Sequence, residues 1–171
     1  PGLRGARSKE DFQLQRNKII QAITDMKADV IGLVEVENDG YGSLSAIYDL
    51  NDGLYARENG IGQGNYSFVD PGSSRLGDDL ISVGLIYNRT LIRPVGRAAT
   101  MSKGAISGKR QPLAQTFEEI STKERFTVVV VHLKSKNPPG GNEVADGDNG
   151  DLGDGQGYWN GDRTRAADEL V

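Results

Sequence analysis

The chain has 171 residues, 36% hydrophobic and 26% charged, a balance that fits one domain with a real core and excludes a disordered chain. It has no cysteine and one histidine, His132, which removes thiolate zinc sites, thiol nucleophiles, disulfides and any His-rich zinc centre and leaves hard, oxygen-bound ions as candidate metals. The net charge of −4 excludes a uniformly basic nucleic-acid-binding coat.

Ser8 followed by Asp11 has the form of a capping box with aspartate in the usual Glu/Gln position, and Phe12, Ile19, Ile20, Ile23 and Met26 recur at helical spacing. A helix is predicted from about Lys9 to Lys27. VIGLVEV, Val30 to Val36, is a β-branched run between polar residues and predicts a buried strand with Glu35 and Glu37 at its carboxyl end. After the NDG turn, SLSAIYDL predicts a short helix, and a glycine-rich loop through GIGQGN leads to a short strand from Tyr66 to Val69. LISVGLIYN and LIRPVG predict two more strands, joined near Asn88 to Thr90.

The polar linker TMSKGAISGKRQ precedes LAQTFEEI, whose partner across the STKE turn is RFTVVVVHL, a hairpin that ends on His132. From Pro138 to Gly161 the chain is rich in Gly, Asp and Asn and too polar to pack a core, so a long loop is predicted. RTRAADELV opens a last helix. One helix, a strand and then mainly antiparallel strands predict an α/β layered sandwich. No apolar run approaches the ~20 residues of a membrane span, and PGLRGARSKED carries no signal-peptide core, so no membrane insertion is expected.

Charge is distributed unevenly. Residues 101–137 hold seven basic and three acidic side chains, residues 138–171 two and eight, and only the first segment suits contact with phosphate. Within it, His132 is followed by Lys134, Ser135 and Lys136, alternating cations and a hydroxyl donor suited to phosphate oxygens. A histidine at a strand end is more often structural, and lysines also guard edge strands. Glu35 closes an apolar strand, which is costly unless the carboxylate is solvated, paired or bound to a cation; solvation alone would explain it. Glu37 and Asn38 read as part of the following turn.

Arg110 in GKRQPL has the fork to hold a phosphate, as any surface arginine has. Asp78 and Asp79 either supply a carboxylate to orient an imidazole or end a loop. DGDNGDLGDGQG, Asp146 to Gly157, is rich in oxygen donors but lacks the EF-hand spacing, and reads better as an acidic loop than as a calcium site.

Together the segments RGARSKEDFQLQRNKIIQAI, ADVIGLVEVENDG, DDLISVGLIYN, KRQPLAQTF, FTVVVVHLKSK and DGQGYWNGDRTRAADEL resemble the endonuclease/exonuclease/phosphatase superfamily, which includes pancreatic deoxyribonuclease, and within it the bacterial secreted extracellular nucleases. The resemblance implies part of a four-layered α/β sandwich, with two packed, mainly antiparallel sheets flanked by helices. It implies metal-dependent hydrolysis of phosphodiesters in nucleic acid, DNA and also RNA, by a secreted or periplasmic enzyme.

Carried over residue by residue, Glu35 matches the metal-binding glutamate, for magnesium or in its place manganese or calcium. His132 matches the first of two catalytic histidines, Arg110 a phosphate-contacting arginine, and Asp79 lies near the acid that orients the histidine. Lys134 and Ser135 fall in the HLKS signature and are expected on substrate phosphate. The family's metal-side asparagine would precede Pro1, and its GDxN strand and SDH ending would follow Val171, so residues 1–171 are expected to form one partial domain, inactive alone. The cysteines usual near DGQG are absent, with Tyr158 in place of one.

Two alternatives remain: a phosphatase or phosphodiesterase of the same superfamily acting on inositol phosphates or lipid head groups, and a non-catalytic, calcium-stabilised binding module. Oligomeric state is not legible.

Overall fold

The first helix, α1 (Lys9–Met26), starts where the capping pattern places it: Ser8 is extended, and its Oγ accepts a hydrogen bond from the Asp11 N–H at 3.1 Å. It ends at Lys27, whose left-handed backbone returns its N–H to the Thr24 carbonyl. The structure is a computed structural model that describes residues 5–55, 65–101 and 110–170. The predicted GIGQGN loop and the TMSKGAISGKRQ linker lie largely outside the described residues.

The other elements are β1 (Val30–Glu37), α2 (Ala46–Tyr55), β2 (Tyr66–Phe68), β3 (Ile81–Asn88), β4 (Ile92–Thr100), β5 (Leu113–Glu119), β6 (Arg125–Val130) and α3 (Asn160–Asp168). All strand pairings are antiparallel, in two sheets ordered β1-β3-β2 and β4-β5-β6. The predicted α/β architecture of two antiparallel sheets with helices is therefore present. Element bounds differ in detail. The helix predicted from SLSAIYDL begins at Ala46 and runs on to Tyr55, α3 starts at Asn160 rather than Arg163, and β6 stops at Val130, two residues short of His132.

The sheets meet face to face. Val83 and Leu85 of β3 pack with Ile92, Leu113, Phe117 and Val130 of the second sheet. The alternate face of the first sheet, with Ile31, Tyr66 and Ile86, takes Ile20 and Ile23 of α1 and Leu54 of α2. This two-sided burial explains why β3 reads as a nearly continuous apolar run. The outer face of β5 is polar: Glu118, although buried, takes Arg93 Nη2 at 2.5 Å and Arg125 Nε at 3.1 Å from the strands on either side. Burial alone would raise its pKa, but these two hydrogen bonds and charges bring it below the ordinary value.

The helical periodicity of α1 overstates its burial. Phe12, Ile19 and Met26 are half exposed, because only the face carrying Ile20 and Ile23 meets the first sheet and α2. Among the described residues no helix is long and apolar enough to cross a membrane.

Candidate active site

Four predicted residues, Glu35, Asp79, Arg110 and His132, converge at one end of the sandwich. Val128 and Val130 of β6 face the inter-sheet core, and His132 continues their alternation beyond the strand end. Val130 overlies β1, where a Cβ added to Gly32 would lie 2.9 Å from Val130 Cγ2. The end of β1 thus lies beside the residues that follow β6.

Glu35 reaches this end through a break in the strand. Pairing of β1 with β3 shifts between Leu33 and Val36, and Glu35 takes φ +60. Such a left-handed backbone is uncommon for a residue with a side chain and costs roughly 1 kcal/mol or more. The bulge removes Glu35 from strict alternation and brings Oε1 within 3.9 Å of His132 Nε2.

On the other side, Arg110 Nη1 lies 2.9 Å from His132 Nε2, and Arg110 Nε lies 3.2 Å from Asp79 Oδ2. A guanidinium has no acceptor, so Nε2 must accept, and the imidazole is neutral with its hydrogen on Nδ1. That Nδ1 is buried without a partner among the described residues. Asp79 therefore reaches His132 through Arg110, near the imidazole as the resemblance implied but without a direct contact to it among the described residues.

The electrostatics agree with a neutral ring. Burial pushes the His132 pKa below its ordinary value, the Arg110 cation pushes the same way, and the Glu35 and Asp79 carboxylates oppose them. Since the folded protein binds this proton less readily than the unfolded chain, neutral His132 contributes stability above pH ~6.5, lost as pH falls through the lower folded value. His132 being the sole histidine, its imidazole resonance titrates alone. The midpoint is expected below ~6.5, higher in Arg110→Gln, where a neighbouring cation is lost, and lower in Glu35→Gln, where a carboxylate is lost. A parent midpoint above that value would contradict the geometry.

Lys134 and Ser135 lie elsewhere. Lys134 Nζ is 2.6 Å from Glu143 Oε1 and 4.1 Å above the Trp159 ring, an ion pair and a cation–π contact that commit its charge within the protein. Ser135 is exposed, its carbonyl accepting from Arg163 Nη1 at 3.4 Å, and no contact joins it to His132 or Arg110 among the described residues. Lys136 Nζ donates to the Gly155 carbonyl. The loop at 138–161 thus folds back over the segment after His132, anchored by Trp159, which is buried and donates its indole N–H to the Asn137 carbonyl.

Carboxylates of the loop and of α3 are engaged within the protein. Asp148 and Asp162 each bind Arg165 at 2.7 Å, while Asp151 and Asp154 accept from the backbone N–H groups of Gly153 and Gln156. Among the described residues no group of three or more His, Asp or Glu side chains is placed to hold one metal ion. Glu35, exposed at the bulge, is the hard oxygen donor beside His132. One carboxylate suits an ion such as magnesium, which keeps several waters and takes substrate phosphate oxygens, but does not make an enclosed cage.

Sequence reasoning missed Asn38, Glu143 and Trp159. Asn38 is buried, with its amide hydrogen-bonded to the segment that carries Asp79. Its signal was slight: one amide side chain directly after a strand that ends in two glutamates.

No protein-family model matches the chain, and no curated protein does. Among solved structures, the chain is similar to an endonuclease/exonuclease/phosphatase from Bacteroides vulgatus, at 16% identity and TM-score 0.47, over 69% of this chain and 43% of that one. It is also similar to the human Nocturnin catalytic domain with bound sulfate anion, at 18% identity and TM-score 0.43, over 72% of this chain and 43% of that one. The chain spans less than half the length of the solved chains it matches.

Proposed function

We propose that this chain forms part of a metal-dependent phosphodiesterase acting on nucleic acid, of the secreted nuclease kind that its motifs resemble. The observation that carries the reading is the array Asp79–Arg110–His132–Glu35, in which a guanidinium, a neutral imidazole and a carboxylate meet at one end of two packed sheets. Glu35 would hold a magnesium ion, and a bound ion of that kind polarises phosphoryl oxygens and lowers the pKa of its water. Arg110 is oriented by Asp79 and presents its remaining donors to a phosphate, stabilising charge that builds during hydrolysis. His132, which sets Arg110 beside the phosphate position, can exchange a proton at Nε2 when Arg110 Nη1 turns its hydrogen to the phosphate. Lys134 would join the substrate only by leaving Glu143 and Trp159.

Plasmid DNA incubated with magnesium and a protein carrying this chain is expected to be nicked, with loss of nicking when magnesium is chelated. Phosphate released from inositol phosphates while DNA and RNA stay intact would overturn the nucleic-acid reading in favour of a phosphatase. Hydrolysis of neither substrate would remove the enzymatic reading altogether.

A further inference from the structure

Asn38 follows directly on β1 and is 4% exposed. Its Nδ2 donates to the carbonyls of Leu76 at 3.2 Å, Gly77 at 3.1 Å and Asp79 at 2.9 Å, and its Oδ1 accepts the Leu76 N–H at 3.0 Å. Its own N–H donates to the Leu80 carbonyl at 2.9 Å, and its carbonyl accepts Arg75 Nε at 2.9 Å. Every polar atom of this residue is therefore spent on the stretch from Arg75 to Leu80. A turn residue has no need of such contacts, which reach about forty positions along the chain.

The segment it holds carries Asp79. There the carboxylate is turned by its own backbone, Oδ1 accepting the Leu80 N–H at 2.7 Å, which leaves Oδ2 for Arg110 Nε. Arg110 in turn meets His132. Asn38 is also three residues after Glu35, so one buried amide ties both carboxylates of the site to a common frame.

We propose that Asn38 is a positioning residue, clamping the Arg75–Leu80 segment so that Asp79 keeps Arg110 against His132. Removing the amide takes a partner from one buried and two part-buried carbonyls and from one buried N–H, and the segment must move to reach water. The movement passes to Asp79 through its own carbonyl, one of the groups released. The kinetic part of the proposal rests on the hydrolytic function above; the geometric part does not.

The test compares Asn38→Ala and the milder Asn38→Ser, which keeps one donor and one acceptor, with Leu54→Ala. Leu54 is buried in the helix-side core, away from the site, and its truncation serves as a control for lost stability. Two readouts are taken on folded protein: the imidazole resonance of His132 in the 171-residue chain, where it is the sole histidine, and kcat and KM for bis(4-nitrophenyl) phosphate with magnesium in a protein carrying this chain. Asn38→Ala should move the His132 resonance toward its position in Arg110→Gln and lower kcat roughly 10- to 100-fold, with KM within about threefold. Asn38→Ser should recover part of both, and Leu54→Ala should change neither. A parent-like resonance and kcat in Asn38→Ala, with only its melting temperature lowered, would reduce Asn38 to a structural residue. Should a protein carrying the parent chain hydrolyse nothing, the functional reading fails by itself, and the His132 resonance alone decides the positioning role.

Discussion

Replacing His132 with alanine is expected to lower phosphodiester cleavage by about 10²- to 10⁴-fold while leaving thermal unfolding almost unchanged. The rate loss follows from geometry. His132 Nε2 is the point where Arg110 and Glu35 meet, so its removal takes away the group proposed to exchange a proton and the hydrogen-bond partner of Arg110. Stability should respond little because the ring is poorly satisfied: Nδ1 is buried without a partner, and alanine removes that orphan along with the ring. Cleavage of plasmid by parent and variant, each with its melting curve, checks both halves. A variant that cuts within tenfold of the parent would remove His132 from the chemistry, and one that melts far lower would make it a structural residue.

The same contrast explains what the sequence could reveal. Runs that are apolar on both faces, above all LISVGLIYN, gave β3 directly, because its burial between α1 and α2 on one side and the second sheet on the other is written in its composition. The start of α1 was legible from Ser8 and Asp11 because a cap is local chemistry. The buried face of α1 was not. Ile20 and Ile23 are covered while Phe12 and Ile19 stay half exposed, and the choice depends on which face meets the sheet and α2, which no local pattern records.

Glu35, Arg110 and His132 could be singled out by residue type and motif, yet the bulge that delivers Glu35 exists only in its register with β3. Asn38 shows the limit most sharply. An asparagine after a strand looks the same whether it caps a turn or pins a segment forty positions away. Lys134 is the reverse case: its sequence setting points at phosphate, while its partners are Glu143 and Trp159 in the long loop, whose composition gave no sign that it would fold back.

Phe117→Ala is expected to destabilise the protein by about 3–5 kcal/mol, a fall in melting temperature of roughly 10–15 °C for a chain of this size. Phe117 is fully buried on the central strand of the second sheet, with its ring 5.4 Å from Tyr87 of the first sheet and 5.9 Å from Phe126. Truncation would open a cavity where the two sheets meet, and the neighbouring strands can close it only by giving up their ladder hydrogen bonds. Phe126 is 40% exposed, so Phe126→Ala should cost much less; equal losses for the two would refute this packing. The activity that survives is also decided by position. Leu113 pairs with Val130, two residues before His132, whereas Phe117 pairs with Phe126 at the opposite end of the hairpin. Below its own melting transition, Phe117→Ala should therefore cleave at nearly the parent rate. His132→Ala is expected to be the mirror image, stable and inactive. If both variants lost activity and stability together, site and core would be one mechanical unit, and the assignment of catalysis to the end of the sandwich would fail.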